Sequence, residues 1–181
     1  MNNVKMAILT SAVALALGAA SAAQAMSADE HKAAKDRIAS EYKAAKANCA
    51  PLSGNAKDIC MADAKGREKV AKAELEAEYK PTAKNRSDLA NAKAEADYAV
   101  AKQKCDNKAG DEKKICMKEA KAAETRAKAD AKANLKVTKA GKEASEDKRE
   151  ADYKVAKAKC DTLSGDAKDR CVSDAKARYG Q

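Results

Sequence analysis

Tyr42-Lys43-Ala44-Ala45-Lys46-Ala47-Asn48-Cys49-Ala50-Pro51-Leu52-Ser53-Gly54-Asn55-Ala56-Lys57-Asp58-Ile59-Cys60 decides how the whole chain is read. A run of strong helix formers ends near Cys49. Pro51 to Asn55 is a turn signal. A second helical run then begins and carries Cys60. The segment predicts helix, short turn, helix: an αα-hairpin with one cysteine on each arm.

The same unit occurs three times. Its form is Y-x2-A-K-x2-C-x4-G-x2-K-x2-C-x3-A-K, at Tyr42 to Lys65, Tyr98 to Lys121 and Tyr153 to Lys176. Corresponding cysteines lie 56 and then 55 residues apart. Three copies at a near-constant period mark an internal repeat. The intervening segments align as well: Lys80-Pro81-Thr82 parallels Lys136-Val137-Thr138. The chain therefore divides into residues 1–25, then hairpin repeats at 26–80 and 81–136, and a truncated third at 137–181.

Outside the turns, helix formers and acid-to-base i,i+4 pairs dominate: Asp63/Arg67, Glu68/Lys72, Glu76/Lys80, Glu124/Lys128 and Asp174/Arg178. Ile38, Tyr42, Ala45 and Cys49 form one helical stripe, and Cys60, Ala64, Ala71 and Leu75 form its counterpart. The tyrosines are read as caps on this alanine seam. A disulfide needs Cα atoms about 4.4–6.8 Å apart, closer than the usual 8–10 Å between helix axes. Alanine-lined helices can approach that closely. An even cysteine count, hairpin spacing and export together favour pairing within each unit: Cys49–Cys60, Cys105–Cys116 and Cys160–Cys171.

The fold class is all-α, three disulfide-stapled αα-hairpin repeats. Two arrangements fit. Turns at Pro81 and at Thr138–Gly141 give an antiparallel bundle with three disulfide tips at one end. Helix running through those points gives an extended hairpin array. Pro81 favours a break in the first linker. The second linker has only Gly141, which a helix tolerates at about 1 kcal/mol. The bundle is the preferred reading, with the second linker able to continue as helix.

Composition limits the function. Alanine supplies 46 of 181 residues, and there is no Phe or Trp. From Met26 onward, Val, Ile, Leu and Met supply only 16 of 156 residues, too few for a large core or a deep apolar pocket. The first 25 residues read as a secretory signal. Lys5 is the charged n-region, Met6 to Ala20 the apolar stretch, and Ala23-Gln24-Ala25 the cleavage motif, with cleavage after Ala25. This predicts a periplasmic protein, or a secreted one, with no membrane span after processing. Removing Lys5 leaves 36 basic against 28 acidic residues, a net charge of +8.

The motifs point away from catalysis and cofactors. Cysteines with ten residues between them do not match zinc-ligand spacing, and no C-x-x-C occurs. His31, the single histidine, is read as a solvated side chain near the mature N-terminus. Carboxylates alternate with lysines, as on a solvated helix face. The absence of stacking aromatics, together with export, argues against a dedicated nucleic-acid role. Anionic envelope components are the more sensible counterpart to the basic charge. Lys57, Lys113 and Lys168, which recur beside each turn, are the candidate anion-binding residues.

The unit Y-x2-A-K-x2-C, the L-S-G-x-A-K-D-x-C segment, and the ending Ala175-Lys176-Ala177-Arg178-Tyr179-Gly180 carry a family likeness. The chain resembles a group of small uncharacterised proteobacterial periplasmic proteins, Ala/Lys-rich and often labelled TolA-like cell-envelope proteins. The label follows the Ala/Lys/Glu-rich helical segment of TolA, so the resemblance implies an envelope-located helical protein and not Tol–Pal activity. The expected function is a non-catalytic periplasmic helical repeat protein with a structural, stress-protective or scaffolding role in the envelope. The alternatives are a binding module for anionic envelope polymers or lipids, and an inhibitor of an envelope-directed enzyme such as lysozyme. A basic lysozyme would repel a +8 chain. Partners are thus anionic envelope components or envelope proteins.

Overall fold

A computed structural model describes residues 26–181. The export signal assigned to residues 1–25 lies outside the described residues. Five helices follow in order: α1 (Ala28–Asn48), α2 (Gly54–Tyr79), α3 (Ala83–Cys105), α4 (Gly110–Cys160) and α5 (Gly165–Tyr179). There are no strands among the described residues.

Helix starts follow local chemistry. Ser27 accepts from the Glu30 backbone N–H while the Glu30 carboxylate accepts from that of Ser27, closing a capping box at α1. Thr82 caps α3 through the Asn85 backbone N–H. Pro81 ends the preceding run. Asn85 Nδ2 secures the turn by donating to the Glu76 and Lys80 carbonyls at 3.0 and 2.8 Å.

Each helix packs against its neighbours in sequence: α1 on α2, α2 on α3, α3 on α4, α4 on α5. The first four helices form an antiparallel meander. Its core is thin: Ile38, Leu75, four small alanines (Ala64, Ala92, Ala94, Ala131) and two cysteines, Cys49 and Cys105, are buried. Burial of Ile38 and Leu75 contributes about 1.5–3 kcal/mol each. Gly66 lets α2 and α3 touch: a Cβ there would sit 2.9 Å from the Ala96 Cβ. Bulkier contacts elsewhere give way to ion pairs between helices, Lys69–Glu95 and Lys93–Glu74 from α2 to α3 and Lys128–Glu95 from α4 to α3.

The all-α, disulfide-stapled reading holds, but the expected placement of three tips at one end does not. α2 begins and α3 ends at the same end of the meander, so the first two staples are neighbours there; Asn55 Nδ2 donates to the Gln103 carbonyl at 2.8 Å across that end. The third staple is remote. α4 runs 51 residues without a break, about 75 Å at 1.5 Å per residue. The boundary between residues 80 and 81 falls at the α2–α3 turn, whereas that between 136 and 137 falls inside α4. The cause is local. Pro81 removes a backbone donor and clashes with the preceding turn, while Val137 at the same repeat position does neither. The final hairpin, the end of α4 with α5, buries only Cys160 and Ala175.

Candidate functional site

The three stapled turns are the one recurring constellation in the molecule. The structure pairs Cys49 with Cys60, Cys105 with Cys116 and Cys160 with Cys171, at Cα separations of 5.7, 5.6 and 5.5 Å. In every unit the first cysteine is wholly buried and its carbonyl accepts from the backbone N–H three residues on, that of Leu52, Lys108 or Leu163. Gly54, Gly110 and Gly165 then open the next helix with φ of 54°, 55° and 56°. That left-handed conformation is why glycine recurs five residues after each first cysteine.

The repeated lysines stand one turn into the new helices. Lys113 Nζ lies 2.8 Å from Asp106 Oδ1, and Lys168 Nζ lies 2.9 Å from Asp161 Oδ1. Each lysine thus reaches back across the turn to the residue after the first cysteine. The Lys168 ammonium holds the Asp161 carboxyl below its usual range. In the first unit Ala50 replaces the aspartate, and among the described residues Lys57 makes no ion pair. Lys57 and Lys113 share one end of the fold; Lys168 sits at the far end of α4. The three are therefore not gathered into one site. Asp106 and Asp161 were legible as the acid that follows the first cysteine in two copies of three, but the reach across the turn requires the folded hairpin.

His31 is not the solvated side chain expected from its position. Its ring stacks on Tyr79, with centroids 4.0 Å apart and planes 15° apart, and Nε2 lies 3.0 Å from Glu76 Oε1. Lys35 Nζ joins the same carboxylate oxygen at 3.0 Å. These contacts dock the start of α1 on the end of α2. They also draw Glu76 away from the expected i,i+4 partner Lys80, which has left helical conformation at the Pro81 turn. Asp63/Arg67, Glu68/Lys72 and Glu124/Lys128 do pair as expected. Arg178 instead lies over the Tyr179 ring.

A second constellation was not read from the sequence. Glu124 of α4 is buried and accepts from Lys121 and Lys128, both at 2.8 Å. Lys128 also reaches Glu95 on α3, which Lys69 of α2 contacts from the other side. The ladder ties three helices together where apolar side chains are scarce. Hydrogen bonds from Lys121 and then Lys128 hold the Glu124 carboxyl below its usual range, outweighing its burial; Lys128 and then Lys69 do the same for Glu95. The tyrosines border the seam: Tyr98 lies under Lys121, and Tyr153 packs at a tilt against Tyr179.

The concave surfaces are open interhelical grooves. One lies between α4 and α5 beside Cys160 and Tyr179, another between α2 and α3 beside Gly66 and Val70. Among the described residues no group of three or more His, Cys, Asp or Glu is placed to hold a metal ion. No helix among them is long and apolar enough to cross a membrane. Three disulfides fit an oxidising, extracytoplasmic compartment. Comparison with family models, curated proteins and solved structures finds no match to this chain.

Proposed function

We propose that the protein is a non-catalytic spacer or scaffold of the cell envelope, resident in the periplasm. The continuous α4 carries this reading: one 51-residue helix runs out of the doubly stapled four-helix head and sets the third stapled tip about 75 Å from the two staples of that head. Disulfides and ion pairs stiffen both ends of the molecule. The grooves are too shallow to sequester a reacting substrate from water, which catalysis of most difficult reactions requires. A protease site inserted at Gly141 tests the spacer role. In a strain lacking the gene, envelope permeability to an apolar dye should be restored by the intact chain. Restoration should be lost when the exported chain is cut within α4. Full restoration by the cut chain refutes a spacer, and reproducible turnover of a substrate by the purified protein refutes a non-catalytic one.

Binding to anionic envelope polymers or lipids is the second reading. The observation that favours it is the unpaired Lys57 on a strongly basic chain. Vesicles containing anionic phospholipid should bind the protein in a salt-sensitive way. Lys57→Gln should weaken that binding more than Lys113→Gln or Lys168→Gln, since the ammonium groups of the latter two are already engaged by Asp106 and Asp161. Equal effects from all three would refute a special role for Lys57.

A further inference from the structure

Among the described residues, α4 has a face along most of its length that no other helix packs on, bordered near its end by the α5 groove at Val155. A straight helix places Ile115, Ala122, Ala129, Val137, Ala151 and Val155 within about 40° of one line. Ile115, Val137 and Val155 are 56%, 71% and 56% exposed, three of the five exposed large apolar side chains among the described residues. α3 covers the opposite side of the first half, around Cys116, Ala120 and Glu124. α5 covers the opposite side of the second half, around Ala156 and Cys160.

The repeat shows what belongs on this face. The first half of α4 is the counterpart of α2, and the second half is the counterpart of α3. In the folded chain those counterparts pack together, with Gly66 against Ala96 and Glu74 paired to Lys93 at 2.9 Å. One turn further along, the same antiparallel register sets Val70 opposite Ala92. The equivalent positions on α4 are Ala122 with Ala151, Asp130 with Lys148, and Arg126 with Asp147. The small pair stays small, and the ion pair keeps its signs. The apolar pair Val70 and Ala92 is replaced on both sides at once by opposite charges. Among the described residues none of these four charges makes an ion pair within the chain. Asp63 and Val100, which border the same α2–α3 groove, become Glu119 and Val155.

α4 thus carries both halves of an interface that it cannot close on itself, because it runs straight through Val137. We infer that two copies of the chain pair antiparallel through α4. Ala122 of one copy meets Ala151 of the second, and Ala151 meets Ala122, so the contact is isologous and closed. The two-fold axis falls beside Val137, the most exposed large apolar side chain among the described residues, which the second copy then covers. Ala122 in place of Gly66 sets the axes slightly wider than those of α2 and α3.

Light scattering after gel filtration of the oxidised protein tests the pairing, with charge variants as internal controls. The wild type should show twice the mass of one chain. Arg126→Asp, which would face Asp147, should raise the dissociation constant at least tenfold. Arg126→Asp combined with Asp147→Arg should restore the two-chain mass. Val137→Pro should permit the fold-back seen at Pro81 and give a compact single-chain particle. A wild type that stays single at about 100 μM overturns the inference. So does a two-chain mass that ignores the charge change, since the contact would then lie on another face.

Discussion

Replacing Cys160 and Cys171 together by serine removes the only crosslink of the last hairpin. The closed loop spans 11 residues of sequence separation, which constrains the unfolded chain by about 3 kcal/mol. That is a factor of roughly 100 in the ratio of docked to undocked α5. What else holds α5 is slight: Ala175 is its one buried residue, and Val172 and Tyr179 are half-buried. A methyl group the size of the alanine side chain contributes about 0.8 kcal/mol. An isolated helix of 15 residues is marginal in water, so without the bond α5 should undock and melt. α5 supplies 15 of the 136 helical residues, so the far-ultraviolet helical signal should fall by about one-tenth. Amide hydrogen exchange should lose protection across residues 165–179 while α2 and α3 keep theirs. The matching change at Cys49 and Cys60 should cost α1 less protection, because Ile38 and the stack of His31 on Tyr79 still dock it. Wild-type protection of α5 in the Cys160/Cys171 variant would refute the view that the staple stands in for a core.

Other perturbations separate the remaining contributions. Gly66→Val should destabilise the meander by about 1–3 kcal/mol in thermal melts, since its Cβ meets the fixed Ala96 Cβ at 2.9 Å. Gly110→Ala should cost about 1–2 kcal/mol although the space is open, because φ is 55°; Gly110→Asn should cost less, as asparagine visits that region. Glu95 and Glu124 have carboxyls depressed below 4.5 by their lysines. Their stabilisation is present above about pH 4.5 and is lost as pH falls through the depressed values. Melting temperature should therefore drop on acidification below that point, and Glu124→Gln should flatten the profile.

The hairpins were legible because their signals are local. Cysteine spacing, the turn glycine and alternating helix formers each act within a dozen residues. The within-unit disulfide pairing followed from the same range. Contacts that bridge helices were not legible. His31 looked solvated because its partners, Glu76 and Tyr79, lie more than forty residues away on α2. The Glu95–Lys128–Glu124 ladder needs the register of α3 on α4 before any of its members stand out. Gly66 reads as a weak point in a helix until Ala96 is placed against it.

Overall shape turned on one position. A repeat predicts equivalent conformations at equivalent sites, and that expectation fails where Pro81 gives way to Val137. Proline enforces a break at a cost of about 3 kcal/mol to any helix that would contain it, whereas valine leaves the choice to packing. Nothing among the described residues covers α4 from residue 136 to 152, where every residue is exposed. Exposed valine, glycine and threonine are poor reasons for a helix to persist alone. Charge pairs along the span contribute only tenths of a kcal/mol each, Lys142–Glu146 and Lys154–Glu150 among them. A bare helix of this composition should fray in amide exchange near Gly141 unless its open face is covered. Protection there that rises with protein concentration would show that a second copy does the covering. Protection independent of concentration would place the stabilising contacts within one chain.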